Sequence, residues 1–141
     1  MKYLDGNKDN WIKGQSYQKR ILLSNATKNL NIIEDVVVHP HGKVPVHAHD
    51  YANEIFYIVS GKAIMIVGDK EFEVKHRDTI FIDKKEPHGF RNESGEELRM
   101  YVLKIDYKKG DSYLPEKWIY IKSTAKIKDV EFVDGEFGVG F

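Results

Sequence analysis

The chain has 141 residues, and its 22 Lys and Arg residues balance 22 Asp and Glu residues, so the formal net charge is zero. This length favours a single domain, and nucleic acid and anionic membranes are poor partners because no broad positive field attracts them. There is no cysteine, which excludes disulfides, thiolate metal sites and a cysteine nucleophile.

The first residues, MKYLDGNKDNWIKG, contain no apolar stretch typical of a signal peptide. No run in the sequence approaches the length of apolar residues that a membrane-spanning helix needs. We therefore expect a cytoplasmic protein that binds neither membranes nor nucleic acid.

Short segments rich in Ile, Val, Phe and Tyr follow one another along the chain, and turn residues separate them. Such apolar or alternating runs predict β-strands. In chain order, the predicted strands cover residues 17–24, 29–39, 54–60, 62–68, 70–76, 78–83, 98–107 and 117–122. No segment shows the apolar spacing of a helix, so we predict an all-β chain folded as an antiparallel sandwich or barrel.

Three short polar segments between these strands are typical of hairpin turns. They are Ser60-Gly61-Lys62, Gly68-Asp69-Lys70 and Glu93-Ser94-Gly95-Glu96. Each segment therefore predicts that the strands on its two sides form a hairpin.

Four of the six histidines lie in the stretch HPHGKVPVHAHD, residues 39–50. His47 and His49 are two residues apart, so in a strand both side chains point to one face and can converge on one ion. Further along, Glu54 opens an otherwise apolar strand, where a buried carboxylate is costly unless it is paired or bound to a cation.

His88 follows the apolar run TIFI and adds a third imidazole to this set of candidate ligands. Three imidazoles and one carboxylate suit a divalent transition metal such as Mn, Fe, Ni or Zn, and they suit Ca and Mg poorly. Four protein ligands usually leave coordination positions open, and substrates bind at such positions.

The segment GKVPVHAHDYANEIFYIVSG, residues 42–61, resembles the first motif of the cupins, G-x5-H-x-H-x3,4-E-x6-G. Four residues, instead of five, separate Gly42 from the first histidine of the motif. The spacings between the histidine pair, Glu54 and Gly61 agree with the motif.

The segment RDTIFIDKKEPHGFRN, residues 77–92, resembles the second cupin motif, G-x5-P-x-G-x2-H-x3-N. His88 and Asn92 stand at the matching positions. Three turn positions carry residues other than the Gly, Pro and Gly of the motif, namely Arg77, Asp83 and Lys85. These departures affect turns and leave the metal-binding position intact.

The resemblance to cupins implies a double-stranded β-helix, or jelly-roll barrel, in one domain over residues 1–141. The core would cover about 28–107, with strand extensions on both sides, the C-terminal one at about 108–141. The resemblance also implies that one metal lies inside the barrel, bound by His47, His49, Glu54 and His88. Single-domain cupins commonly pair through barrel faces or exchanged N-terminal strands, so we expect a homodimer.

We predict a different role for the other two histidines of this stretch, His39 and His41. If these residues formed the motif pair, the glutamate position would fall on Val46, which cannot bind a metal. We therefore predict that both are exposed histidines at a strand end and a turn, and that His76 is solvated in a turn.

Three aromatic residues are candidates for the wall of a substrate pocket. Phe56 follows Glu54 on the same strand face, and Phe90 follows His88 in the same way. Tyr51 lies in the loop beside the ligand strand. Ordinary core packing is the simpler role for Phe56 and Phe90.

The motifs indicate a site more clearly than a reaction, since the cupin fold carries many activities. We favour a metal-dependent oxidoreductase of the dioxygenase kind acting on a small oxygen-rich molecule. The alternatives are a Lewis-acid isomerase, epimerase or lyase acting on a sugar-like or hydroxy-acid substrate, and a binding or sensing module without turnover. No further Glu, Lys or His is predicted inside the barrel, which weakens the Lewis-acid alternative.

Overall fold

The computed structural model describes residues 1, 3–25, 27–28, 30–108 and 111–113. The strands in these ranges are β1 (Ile12–Lys13), β2 (Tyr17–Ser24), β3 (Leu30–Val38), β4 (Lys43–His49), β5 (Asn53–Ser60), β6 (Lys62–Val67), β7 (Lys70–Lys75), β8 (Thr79–Ile82), β9 (His88–Arg91), β10 (Leu98–Ile105) and β11 (Ser112–Tyr113). In the same ranges, no helix is long and apolar enough to cross a membrane. The all-β prediction is confirmed.

Two antiparallel sheets enclose the interior and form the predicted jelly-roll barrel. One sheet has the strand order β1-β2-β3-β10-β5-β8, and the other has the order β11-β4-β9-β6-β7. From β3 onwards most consecutive strands lie in different sheets, so the chain passes repeatedly from one sheet to the other. Residues far apart in the sequence therefore become neighbours inside the barrel.

The predicted strand bounds agree with the structure to within about two residues, the accuracy expected of strand ends. β2 covers residues 17–24 as predicted, and β10 ends at Ile105 where the prediction extends to residue 107. Four short or irregular strands are missing from the prediction, namely β1, β4, β9 and β11. The predicted strand at 117–122 and the rest of the C-terminal extension from residue 114 lie outside the described residues.

One of the predicted hairpins is confirmed and two are wrong. The turn at Gly68 and Asp69 joins β6 to β7, and these strands pair with each other. The segments after β5 and after β9 connect strands of different sheets. Gly61, where the chain leaves β5, has a φ of 83°, and a Cβ added there would collide with the carbonyl oxygen of Glu97.

The barrel interior arises from simple alternation, which β10 shows well. Its sequence, LRMYVLKI, alternates buried and half-buried residues, and the buried ones are Leu98, Met100, Val102 and Lys104. The side chains that form the apolar core come from both sheets: Val36, Val38, Val44, Phe56, Ile58, Ala63, Met65, Val74, Ile82, Phe90, Leu98, Met100 and Val102. Burying each of the larger ones contributes about 1.5–3 kcal/mol.

Two residues at the glycine positions of the second cupin motif adopt a left-handed backbone conformation. Arg77 has a φ of 75° and Lys85 a φ of 69°. This conformation costs a residue other than glycine roughly 1–2 kcal/mol. The Lys85 N–H donates to the carbonyl of His49 at 2.6 Å, which ties the second of these turns to β4. The turns of the motif are therefore retained without their glycines.

Candidate metal centre

An irregularity in β4 turns its two histidines into the barrel. Val44 pairs with Phe90 and His47 pairs with His88, so three steps along β4 correspond to two steps along β9. The extra residue forms a β-bulge, which reverses the alternation of side chains. After the bulge His47 and His49 point inward, where they are 2% and 1% exposed.

The residues in and opposite the bulge suit this geometry. Pro45 lies in the bulge, between the paired positions Val44 and His47, and a bulge is a place where a strand tolerates proline. Gly89 lies opposite, and a Cβ added there would be 2.7 Å from the carbonyl oxygen of Val44 and 3.0 Å from the nitrogen of Val46. A glycine on β9 therefore permits the close approach of the bulged strand.

Four side chains from three strands meet inside the barrel, and we name them the ligand cluster: His47 and His49 from β4, Glu54 from β5 and His88 from β9. Their potential ligand atoms all lie within 4.8 Å of one another. Glu54 Oε1 is 2.8 Å from His49 Nε2 and 2.9 Å from His88 Nε2. Neither carboxylate oxygen of Glu54 accepts a well-directed hydrogen bond from the described residues. A cation would compensate this buried carboxylate.

Backbone carbonyls hold two of the imidazole rings in the form that binds a metal. His47 Nδ1 donates to the carbonyl of Pro45 at 2.7 Å, and His88 Nδ1 donates to the carbonyl of Glu86 at 2.8 Å. Because a carbonyl only accepts, the proton of each neutral ring lies on Nδ1. The lone pair is then on Nε2, the atom that faces the ligand cluster.

Burial and neighbouring charges shift the pKa values of His47, His49 and Glu54. Burial lowers the pKa of His47 well below its ordinary value, and His88 and His49 add to this effect. Burial also lowers the pKa of His49. For Glu54 burial would raise the pKa, but His49 and His88 outweigh it and hold that pKa well below its ordinary value. Neutral imidazoles and an ionised carboxylate are the forms that coordinate metal ions.

Asp111, which no sequence motif indicates, anchors the loop that joins the two ligand strands β4 and β5. Its Oδ1 accepts from Tyr51 N and its Oδ2 from Ala52 N, both at 2.9 Å. Asp111 Oδ2 also lies 3.9 Å from His49 Nδ1. The carboxylate thus holds the loop and lies next to the ring of His49. The hydrogen bond from Tyr51 to Asp111 joins residues about sixty positions apart in the sequence.

Buried charged side chains continue from the ligand cluster across the inner face of the larger sheet. Lys104 on β10 is the direct cross-strand partner of Glu54 on β5. Lys104 Nζ lies 3.2 Å from Glu34 Oε1, and Lys19 Nζ lies 2.9 Å from Glu34 Oε2. We name Lys19, Glu34 and Lys104 the charged row; none of them is more than 4% exposed.

The charged row shows that the expectation of no further Glu or Lys inside the barrel is wrong. The signal for Lys104 is present in the sequence, because Leu98, Met100 and Val102 precede it at every second position. A lysine at the end of such a pattern is easily assigned to solvent. Burial and the neighbouring Glu34 raise the pKa of Tyr17, so its phenol stays protonated beside the row.

The three aromatic candidates for a pocket wall lie in different environments. Phe56 is fully buried, with its ring 5.7 Å from the ring of His88 and 5.2 Å from the ring of Phe90. Both phenylalanines belong to the apolar core, and Phe56 also contacts the ligand cluster through the ring of His88. Tyr51 is half exposed, and its ring lies against Lys108 Nζ at 4.2 Å.

The other histidines stand apart from the ligand cluster. His41 is exposed in a turn with a φ of 60°, and His76 is exposed as well, both as predicted. His39 is partly buried, contrary to prediction, and its Nδ1 lies 3.4 Å from Glu97 Oε2. The β-bulge in β4 and the register between β4 and β9 thus place His47 and His49, and not the other pair, inside the barrel.

The family follows from this barrel and from the matching sequence. A family model described as a cupin domain matches residues 34–104, just over half of the chain. The chain belongs to the cupin family. The matched region of this cupin contains all four residues of the ligand cluster and ends at Lys104, while Asp111 lies beyond it.

Individual relatives of this cupin cover the barrel to different extents. An uncharacterised protein of Methanocaldococcus jannaschii is 37% identical over 60 residues, which are 43% of this chain and only 48% of that protein. The oxalate-binding protein of Thermotoga maritima is 26% identical over 94 residues, 66% of this chain and 78% of that protein. The structure of the polyketide cyclase RemF from Streptomyces resistomycificus superposes with a TM-score of 0.65 at 25% identity, covering 76% of this chain and 80% of that one.

Proposed function

We propose that this cupin binds one divalent transition metal at the ligand cluster and acts as a metal-dependent enzyme on a small oxygen-rich molecule. The observation that carries the proposal is the convergence of four buried ligand atoms within 4.8 Å. Two of the histidines are fixed through Nδ1 by backbone carbonyls, so their Nε2 lone pairs are available. The mixed donor set suits Mn, Fe, Ni or Zn.

Elemental analysis of protein purified without an affinity tag tests the metal site. We expect about one transition metal per chain in the wild type, as a single four-ligand site requires. His49→Ala and Glu54→Ala should lose the metal, because each removes a ligand. The matched control is His41→Ala, which removes an exposed histidine and should keep the metal content. Loss of metal from the control would show that the ligands are assigned to the wrong pair.

For the reaction, we place Lewis-acid isomerisation or lyase chemistry first. A bound divalent metal supplies Lewis acidity at a carbonyl or hydroxyl oxygen. The charged row favours this class, because Lys104 lies beside Glu54 and adds a positive charge where negative charge would develop on a substrate. Two relatives named for a cyclase and for oxalate binding also support a ligand rich in oxygen atoms.

A dioxygenase is the second candidate, because three imidazoles and one carboxylate also accommodate redox-active Fe and Mn. The two classes differ in their need for oxygen. A dioxygenase should consume O2 with an enediol, a diketone or an aromatic diol, whereas a Lewis-acid enzyme should turn over without air. A protein that holds only Zn and consumes no O2 would exclude the dioxygenase.

Two further features complete the proposal. We propose that the protein is a homodimer. Size-exclusion chromatography with light scattering would measure its mass, and a monomer mass would contradict the proposal.

If the protein is a binding or sensing module and not an enzyme, a small molecule should raise its melting temperature without being converted to product. The cytoplasmic location stays a prediction.

A further inference from the structure

Apolar side chains form a continuous row across the outer face of the larger sheet. Directly opposed residues of neighbouring strands lie on the same face of a sheet. From β8 to β2, five such residues follow one another as cross-strand partners: Phe81, Ile55, Leu103, Ile33 and Leu23. The residues on either side of Ile55 and Leu103 along their strands are buried inside the barrel, so the row points outward.

Two tyrosines widen this row into an apolar patch. Tyr57 and Tyr101 are cross-strand partners on the same face, two residues along their strands from Ile55 and Leu103. We name the row and the two tyrosines the outer patch. All of its members are at least partly exposed, with Tyr57 at 40% and Phe81 at 54%.

The size of the outer patch follows from strand geometry. Five strands about 4.8 Å apart span roughly 19 Å, and two rows about 7 Å apart then cover on the order of 300 Å² with their side chains. An exposed apolar patch of this size on a soluble protein is often functional. The outer patch is therefore a candidate docking surface.

The N-terminal residues already cover the neighbouring part of the same face. Arg20 Nη1 donates to the carbonyls of Gly6 at 3.0 Å and Lys8 at 3.1 Å, and its guanidinium lies 4.8 Å from the ring of Trp11. Val37, an outward residue of β3 beside this segment, is only 8% exposed. A segment outside the two-sheet barrel thus covers one part of the outer face, while the outer patch stays open to solvent among the described residues.

The area of the outer patch favours an occupant from the same chain. Two copies that met only through this patch would bury about 600 Å² in total, whereas specific interfaces between proteins bury about 1,200–2,000 Å². A segment tethered to the barrel needs less contact, because the tether gives it an effective concentration in the millimolar range.

We propose that the C-terminal extension, residues 114–141, docks on the outer patch. It follows Tyr113 in β11, at the edge of the smaller sheet. The path around the barrel edge is roughly 20 Å, twice the spacing of packed sheets, and six or seven extended residues cover about that distance.

The rest of the extension is long enough and apolar enough to cover the outer patch. It contains the apolar run WIYI, residues 118–121, and the aromatic residues Phe132, Phe137 and Phe141. The cupin family model ends at residue 104, so this cover would be an addition to the family's barrel.

The test attaches a photo-crosslinker to the margin of the outer patch. The chain has no cysteine, so Thr79→Cys gives a single attachment point, which is exposed and opposite Tyr57. The matched control is Glu73→Cys, exposed on the smaller sheet opposite Ile64. Each full-length variant would be coupled to benzophenone maleimide and illuminated. Gel electrophoresis and peptide mass spectrometry would then identify the crosslinked chains and residues.

We expect crosslinks within one chain from position 79 to peptides of residues 114–141, at least about tenfold more abundant than from position 73. Melting curves like that of the wild type would show that both variants fold. Crosslinks to a second chain would place another copy on the outer patch, and crosslinks only to the described residues would leave it uncovered. Either of these results, or equal yields from the two positions, would overturn the proposal. The test needs no bound metal, so its failure leaves the proposed function untouched.

Discussion

Replacing Asp111 with alanine should destabilise the chain through two specific amide groups. Its carboxylate accepts hydrogen bonds from Tyr51 N and Ala52 N, both at 2.9 Å. Ala52 is 1% exposed, so its N–H would lose its partner in a place that water does not reach. An unsatisfied buried donor costs about 1–3 kcal/mol.

The second amide should cost less. Tyr51 is half exposed, so water can replace the lost acceptor and the loss is about 0.5–1.5 kcal/mol. For Asp111→Ala we therefore expect a total loss of about 1.5–4.5 kcal/mol in the free energy of unfolding. For a chain of this size, that corresponds to a drop of roughly 5–17 °C in melting temperature.

Metal affinity should fall along with stability. The loop that Asp111 holds joins His49 at the end of β4 to Glu54 near the start of β5, so the relative placement of two ligands depends on it. Loss of such supporting contacts typically weakens metal binding by about 10–100-fold. Competition with a chelator would measure the affinity, and urea denaturation of the metal-free protein would measure the stability.

The control for Asp111→Ala is Asp69→Ala, which removes an exposed aspartate from the turn between β6 and β7. That change should stay within about 0.5 kcal/mol of the wild type. If Asp111→Ala matched this control in both stability and metal affinity, the carboxylate would support neither the loop nor the ligands.

Two further predictions concern turns and pH. Arg77→Gly and Lys85→Gly should each raise the free energy of unfolding by about 0.5–1 kcal/mol, because glycine adopts the left-handed conformation without strain. The control, Lys75→Gly within β7, should lower the free energy of unfolding. Urea denaturation would measure these changes, and a loss of stability at both turn positions would contradict the assignment of strain. Because burial lowers the pKa of His47 and His49 in the folded chain, the unfolded chain takes up protons first as pH falls through the ordinary value of 6.5. The stability of the metal-free protein should thus be complete above that pH and decline below it, and equal stability at about pH 7.5 and about pH 5.5 would argue against buried neutral histidines.

Local patterns in the sequence accounted for much of the barrel. Alternation and turn residues located β2 over residues 17–24 and placed most other strand ends within about two residues. These signals are local, since a strand with one buried face carries its period of two wherever it lies in the sheet. Motif spacing was equally informative for the candidate ligands, because His47, His49 and Glu54 follow one another within a few residues.

Pairing between distant strands decided what the patterns could not. The alternation of β4 alone would put His47 on the opposite face from Val44, and only the bulge against Gly89 turns it inward. The hairpins predicted after β5 and β9 failed for a related reason. A turn signal shows where the chain changes direction, and it does not show which sheet the next strand joins.

What the amino-acid sequence determined by itself is the chemistry available at the candidate site: three imidazoles, one carboxylate and an apolar all-β chain to enclose them. Only the tertiary structure decided which other charged groups join that site. Lys104 lies opposite Glu54 because of the register between β10 and β5, two strands about fifty residues apart in the sequence. Asp111 lies next to His49 because the chain comes back to the β4–β5 loop about sixty residues later. Register depends on how all the inward side chains pack together, so no single segment of the sequence contains it.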